Sequence, residues 1–149
     1  LPNGAKERTW DTPDGKACFS AAPFEQFEVS EGHLILQTLR SHDQFNTTVY
    51  GLNDRYRGVG LGRRILFMNP ADMKERNITP VSLIDITSHW QEEQRTLQSF
   101  YAIPYDIPRG SAAAYFPEAN PLVPIDSTAR ESNTPTSKAV EISVQASSR

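Results

Sequence analysis

The chain has 149 residues, 38% of them hydrophobic, which suffices for one domain with a buried core, and no apolar run reaches membrane-spanning length. A formal net charge of −3 gives no overall positive field for nucleic acid, so any anion site has to be local. One cysteine, Cys18, excludes an internal disulfide and a cysteine-built metal cage; a small core residue is its expected role.

Residues 1–149 read as a single domain in which 1–31 form an irregular lead-in. The opening LPNGAKERTW lacks a signal-peptide pattern, and a start without methionine is expected of a piece of a longer chain; a cytoplasmic location is expected. Pro13-Asp14-Gly15 is a turn signature, and residues 16–19 are expected to form a short strand after it. Phe24 and Phe27 are aromatic anchors in a connecting segment. The first firm strand is 33–39, where apolar and β-branched residues dominate.

After that strand, Ser41, His42, Asp43, Gln44, Asn46, Thr47 and Thr48 form a run of short polar side chains broken only by Phe45. Such a run cannot bury a face and carries more donors and acceptors than a turn needs. Arg40, Arg55, Arg57, Arg63 and Arg64 lie in or beside it, as do Gly51, Gly58, Gly60 and Gly62, half of the 8 glycines. Hydroxyls, amides, arginines and flexible backbone suit a polyanionic ligand with a heteroaromatic part. A solvated connecting loop is the plainer reading, but more than 20 residues without periodicity in a compact domain point to function or disorder, and Tyr50, Leu52, Tyr56, Val59 and Leu61 oppose disorder.

RILFM at 64–68 fits a buried strand, and Asn69-Pro70-Ala71-Asp72 starts a short helix over 70–76 that Asn77 can close. Residues 80–88 and 95–103 read as a hairpin around a polar turn at 89–93. Residues 111–116 predict one or two helical turns capped by Ser111, and a proline-pinned segment follows to 124. Alternation over 139–144 predicts the last strand. Five or six short strands, two small helices and long loops make a mainly β domain, more readily a closed barrel than an open sheet, since no long helix is available to cover a face.

No catalytic constellation stands out. His33, His42 and His89 form no metal-ligand pair at helical spacing. His42 can bond a ligand from the polar run, while His33 and His89 read as surface turn residues. No GxSxG elbow or Cys–His pairing is present, and Glu92 and Glu93 read as a solvated turn. Gly58-Val59-Gly60-Leu61-Gly62 lacks the GxGxxG spacing and is followed by a strand where a dinucleotide site needs a helix, so it reads as a flexible turn. Asn120, between Ala119 and Pro121, is either a pre-aimed ligand amide or a plain turn residue. Lys138 either neutralises a ligand phosphate or sits as a strand-edge lysine.

The segments LQTLRSHDQFNTTVYGLNDRYRGV, ILFMNPADM, PRGSAAAYFPEANPLVP and TPTSKAVEI, with the looser TPDGKACF, together resemble the C-terminal domain of molybdopterin oxidoreductases of the dimethyl-sulfoxide-reductase superfamily, nearest to its formate-dehydrogenase-like branch. The first and third segments are specific over many consecutive positions, and the helix-start segment is generic. The resemblance implies a double-psi β-barrel with a few short helices that binds molybdopterin guanine dinucleotide. The parent enzyme would hold molybdenum in the bis form of that cofactor, with any iron–sulfur cluster in other domains and the remaining parent domains as partners. The family's T-x-R motif falls on Thr38 and Arg40, its polar run on Gln44, Phe45, Asn46, Thr47 and Thr48, its Asn before Leu on Asn120 and Leu122, and its lysine on Lys138. His42 joins these contacts, and Arg55, Arg57 and Arg109 belong to the branch pattern with roles left open. Asn46 stands where many relatives carry His, and Ser137 where many carry an aromatic, so Ser137 supplies no ring to stack on a ligand. The chain is expected to bind and not to catalyse on its own. The rival expectation is a free-standing β-domain for protein interaction, with the polar run as its partner-binding loop.

Overall fold

The computed structural model describes residues 1–23, 26–45 and 49–148. After a short helical turn, α1 (Gly4–Glu7), the described residues of the lead-in are irregular as far as β1 (Leu34–Leu39). β2 (Ile65–Met68), α2 (Pro70–Glu75), β3 (Leu83–Trp90), β4 (Glu93–Pro104), β5 (Ser111–Tyr115), a 3-10 turn (Asn120–Leu122) and β6 (Val140–Ala146) complete the chain. The strands close into a barrel in the order β1-β5-β2-β4-β3-β6. Pairs β1–β5 and β2–β4 are parallel and the other four are antiparallel. This is the closed barrel that the sequence pattern predicts and the double-psi topology that the family resemblance implies.

Alternation builds the interior. Leu34 and Leu36 of β1 point inward beside Leu66 and Met68 of β2, Ile84 and Ile86 of β3, and Ile142 of β6, all nearly inaccessible. Ile65 and Phe67, the alternate residues of β2, are equally buried but belong to a second cluster outside the barrel wall, with Val59 and Tyr115. That cluster explains why RILFM carries no polar alternation: both faces of β2 are covered. It also shows where the long loop goes, since Val59 seats that loop on the outer face of β2.

Local signals account for several boundaries. The Asn69 side chain accepts from Ala71 N–H at 2.8 Å and Pro70 follows it, so α2 starts as the sequence predicts. Asn77 takes a left-handed backbone (φ 54), ending the helical turn. The β3–β4 turn shrinks to Gln91 and Glu92, with Trp90 opposite Glu93, so His89, Trp90 and Glu93 are strand residues. A bulge between Ile84 and Ile86 is stitched by buried Asp85, whose carboxylate accepts from Ser99 N–H at 3.0 Å.

Three expectations are corrected. Residues 111–116 form no helical turn: Ser111–Tyr115 is β5, wedged between β1 and β2. Ala112 and Ala114 favour helix locally, but their small side chains fit the barrel interior, and two neighbouring strands take up the backbone hydrogen bonds. Residues 16–19 form no strand, because no partner strand lies alongside them among the described residues. Cys18 is exposed rather than a core residue, since the segment that carries it packs no side chain into the barrel. Phe24 lies outside the described residues.

Candidate functional site

Strand registers decide which of the candidate side chains can meet. β1 and β5 run parallel with Leu39 opposite Tyr115, and β6 runs against β1 with Val140 opposite Leu36. The end of β1, the exit from β5 and the entry to β6 therefore share one end of the barrel. A cavity of about 300 Å³ opens there, lined by Thr38, Arg40, Phe116, Asn120, Thr134 and Lys138, among others.

Each member has a different standing. Thr38 is buried, and its hydroxyl donates to the Ser137 carbonyl at 3.0 Å, as does its N–H at 3.0 Å. The Lys138 ammonium donates back to the Thr38 carbonyl. Thr38 is thus spent on clamping β1 to residues 137–138, and this clamp fixes where Lys138 sits. Asn120 opens the 3-10 turn, its N–H bonded to the Pro117 carbonyl at 3.0 Å; its exposed side-chain amide makes no hydrogen bond among the described residues. The exposed Arg40 guanidinium likewise makes no ion pair among the described residues. Unspent cation and amide groups therefore converge with an ammonium on one concave surface.

The polar run behaves differently. Arg63, only 4% exposed, reaches into it and bonds on every side: Nη1 donates to Ser41 Oγ (2.7 Å), Nη2 to Gln44 Oε1 (2.9 Å) and the Phe116 carbonyl (2.7 Å), and Nε to Glu118 Oε1 (3.0 Å). Its guanidinium is sandwiched between the rings of Tyr50 and Tyr115, with centroids 3.8 and 4.7 Å away. Gln44 is consequently a buried part of this knot. A second knot forms at Asp54, which accepts from Tyr115 Oη at 2.8 Å and from both the N–H and the guanidinium of Arg57. Burial alone would raise the Asp54 pKa, but the Tyr115 and Arg57 hydrogen bonds outweigh it and hold the carboxyl below its ordinary range. Burial first, and the Asp54 bond next, push the Tyr115 phenol well above its usual value.

The other candidates distribute as follows. Half-exposed His42 lies 3.5 Å from the Asp54 carboxylate and against the Tyr56 ring, beside the cavity rather than in its lining. Arg57 is tied to Asp54 and donates to the Arg40 carbonyl at 3.3 Å, so it positions the Arg40 backbone. Phe45 is largely exposed, paired through its backbone with Val49. Arg55 lies at the surface, 3.8 Å from Asp43. Asn46, Thr47 and Thr48 lie outside the described residues. Arg109 is not brought to the cavity: it pairs with Asp72 and Glu75 of α2, while the next residue, Gly110, bonds to Ile35 at the start of β1. That places it roughly 20 Å along the strand direction from Phe116.

His33 and His89 depart from their reading as surface turn residues. They stack with centroids 4.3 Å apart, and His33 Nδ1 lies 2.6 Å from Glu141 Oε1. Burial and the neighbouring His33 lower the His89 pKa. Burial would raise that of Glu141, but hydrogen bonds from Ser30 and His33 bring it down. Arg63 is the residue that sequence reasoning missed. Its one local signal was its place among the arginines beside the polar run, because the partners that define its role lie at distant positions of the chain.

Comparison with known proteins fits this geometry. The family model described as the molydopterin dinucleotide binding domain matches residues 34–142. An uncharacterized oxidoreductase of Mycobacterium tuberculosis (strain H37Rv) is 48% identical over 151 residues, covering 97% of this chain and 19% of the relative. Protein YdeP of Escherichia coli (strain K12) is 35% identical over 156 residues, covering 99% of this chain and 20% of the relative. The chain thus spans about a fifth of the length of these curated relatives. Among solved structures, acetylene hydratase from Pelobacter acetylenicus superposes with a TM-score of 0.50 at 12% identity, over 76% of this chain and 18% of that one, a likeness of fold.

Proposed function

The chain belongs to the molydopterin dinucleotide binding domain family, and from that premise we propose that it is the cofactor-binding portion of a larger molybdenum oxidoreductase. In this reading molybdopterin guanine dinucleotide lies at the barrel end where β1 stops. The observation that carries it is the meeting of Arg40, Asn120 and Lys138 on one cavity.

The donor set suits the group. A pyrophosphate is met by a guanidinium and an ammonium, and the heterocycle edges, rich in donors and acceptors, are met by the Asn120 amide and the Thr134 hydroxyl. With a net charge of −3 the chain draws anions only where such cations are left unpaired, and Arg40 is one of them among the described residues. When bound with its metal, the cofactor supplies the redox chemistry; this chain contributes grip, orientation and local positive charge. Thr38 and Arg57 act one step back, the first clamping the segment that carries Lys138 and the second holding the Arg40 backbone. Asn46 and Thr47 remain expected contacts on the strength of the resemblance.

The finer reading is a formate-dehydrogenase-like parent holding two such cofactors around molybdenum. Its substrate is selected at the metal, which residues outside this chain would bind. One cysteine cannot furnish a four-cysteine cluster, so any iron–sulfur centre would draw its ligands from elsewhere in the parent. The relatives' much greater length favours this reading over a free-standing interaction domain.

The test is the cofactor content of the whole protein carrying Arg40→Ala with Asn120→Ala. Loss of a charge-assisted and a neutral hydrogen bond should lower occupancy by about ten-fold or more at limiting cofactor. The melting temperature should stay within a few degrees, since neither side chain is buried. Unchanged occupancy would refute the site.

A further inference from the structure

Between Asn120 and Lys138, the two ends of the cavity wall in sequence, the chain forms a hairpin that buries almost nothing. Its residues 128–135 are all exposed, and Thr134 and Pro135 line the cavity. Ala129 N–H donates to the Thr134 carbonyl at 2.8 Å, and Glu131 and Asn133 turn the tip with left-handed backbone (φ 68 and 53). Thr128 and Pro135 meet below them as a single bridge. A two-stranded ribbon of this size with no apolar face does not hold its own shape in water, so it has to be fixed at its root.

That root is Ser127, 3% exposed beneath an exposed hairpin. Its carbonyl accepts from Thr136 N–H at 3.0 Å and from the Thr136 hydroxyl at 3.2 Å. The two hydroxyls also bond to each other; with the Thr136 proton on the carbonyl, Ser127 is the donor between them. The limb leading to Ser127 belongs to the barrel. Leu122 and Val123 are part of its core, Arg95 donates to the Val123 carbonyl at 3.2 Å, and Ser127 N–H donates to the Pro124 carbonyl at 3.3 Å. The Ser127–Thr136 clasp therefore ties Thr136 to a limb that the core holds in place.

Past the clasp the chain makes one more turn before β6. The Thr136 carbonyl accepts from Ala139 N–H at 3.2 Å, so residues 136–139 form a turn with Lys138 at its third position. A tight turn carries its third residue with its first, so the seat of Thr136 decides where the Lys138 ammonium enters the cavity. We propose that Ser127 and Thr136 are positioning residues of the cofactor site, whose clasp passes the fixed position of the Leu122–Val123 limb on to Lys138. Both lie behind the cavity lining and act only through that lysine. The inference rests on the cofactor reading above, and its test separates the two.

The measurement is cofactor retention in the whole protein, loaded and then diluted, well below its melting temperature. Thr136→Val removes the hydroxyl at nearly constant size and should shorten retention about five-fold, the effect of one or two lost hydrogen bonds. Thr136→Ser keeps the hydroxyl and should restore most of the retention. Positioning has a further signature, which is non-additivity. In a Lys138→Ala background Thr136→Val should change retention by less than about two-fold, because the group it aims is gone. An equal loss in both backgrounds would overturn the proposal, since a general loosening of the hairpin gives that result. Ser127→Ala spares both bonds to the Ser127 carbonyl and should shorten retention by a smaller factor. It decides the matter if Thr136→Val fails to fold, and no change in it would then overturn the proposal. Shortened retention in Lys138→Ala with none in Thr136→Val overturns this inference alone. Unchanged retention in Lys138→Ala overturns the cofactor reading and this inference with it.

Discussion

Arg63 and Arg40 lie at the same barrel end and use the same guanidinium in opposite ways. Arg63 is 4% exposed and its guanidinium is taken up by Ser41, Gln44, Phe116 and Glu118. Arg40 is exposed and makes no ion pair among the described residues. The contrast separates groups that build the site from groups left to act in it. A donor already satisfied has nothing to offer a ligand, and a buried cation is tolerated only when its partners surround it.

The comparison can be broken at several points. The largest effect should follow Arg63→Leu. It leaves the Glu118 carboxylate without its cation and releases Ser41 and Gln44, so denaturant unfolding should show a loss of about 3–5 kcal/mol. A loss under about 1 kcal/mol would mean that the knot is incidental. Next comes Tyr115→Phe, which removes one hydrogen bond to the buried Asp54 carboxylate and should cost about 1–3 kcal/mol by the same measurement.

Smaller again is the acid response. Asp54 and Glu141 are held below their ordinary range in the fold, so as pH falls the unfolded chain takes up these protons first. Their stabilisation is complete above about pH 4 and lost below it. His89 is also lowered in the fold, so its contribution is present above about pH 6.5 and declines as pH drops beneath that value. Urea midpoints across pH 3–8 should therefore show a shallow fall beginning near 6.5 and a steeper one below 4. Asp54→Asn should flatten the second and leave the first; an unchanged acid limb would contradict the assignment of Asp54.

Much of this was legible in the chain itself. Apolar and β-branched residues gave β1, alternation gave β6, the Asn-Pro-Ala-Asp cap gave α2, and the hairpin came from two strand-like runs around a polar turn; each of these signals is local. Thr38, Arg40, Asn120 and Lys138 were singled out by residue type and by resemblance, and they do meet around one cavity. What was not legible depends on neighbours far along the chain. The Ala112–Ala114 run becomes strand because β1 and β2 flank it, and Ala is chosen there for size inside the barrel. Arg63 reads as one more arginine of a local anion site until the partners that enclose it are placed. Gln44 has the same explanation: one amide in a polar run cannot be told from its neighbours until a buried guanidinium claims it. Arg109 joined the site residues only through the branch pattern of the resemblance, and the α2 carboxylates pair with it at the other end of β5.

That last contrast supplies the most direct measurement of the central claim. Lys138→Ala and Arg109→Ala each remove one cation, one at the cavity and one about 20 Å away along the strand. In the whole protein, loaded with cofactor and then diluted, Lys138→Ala should shorten cofactor retention by about ten-fold or more, the effect of losing a charge-assisted contact. Arg109→Ala should match the unaltered protein. Equal retention in all three proteins, or a loss confined to Arg109→Ala, would contradict a cofactor held where β1 ends.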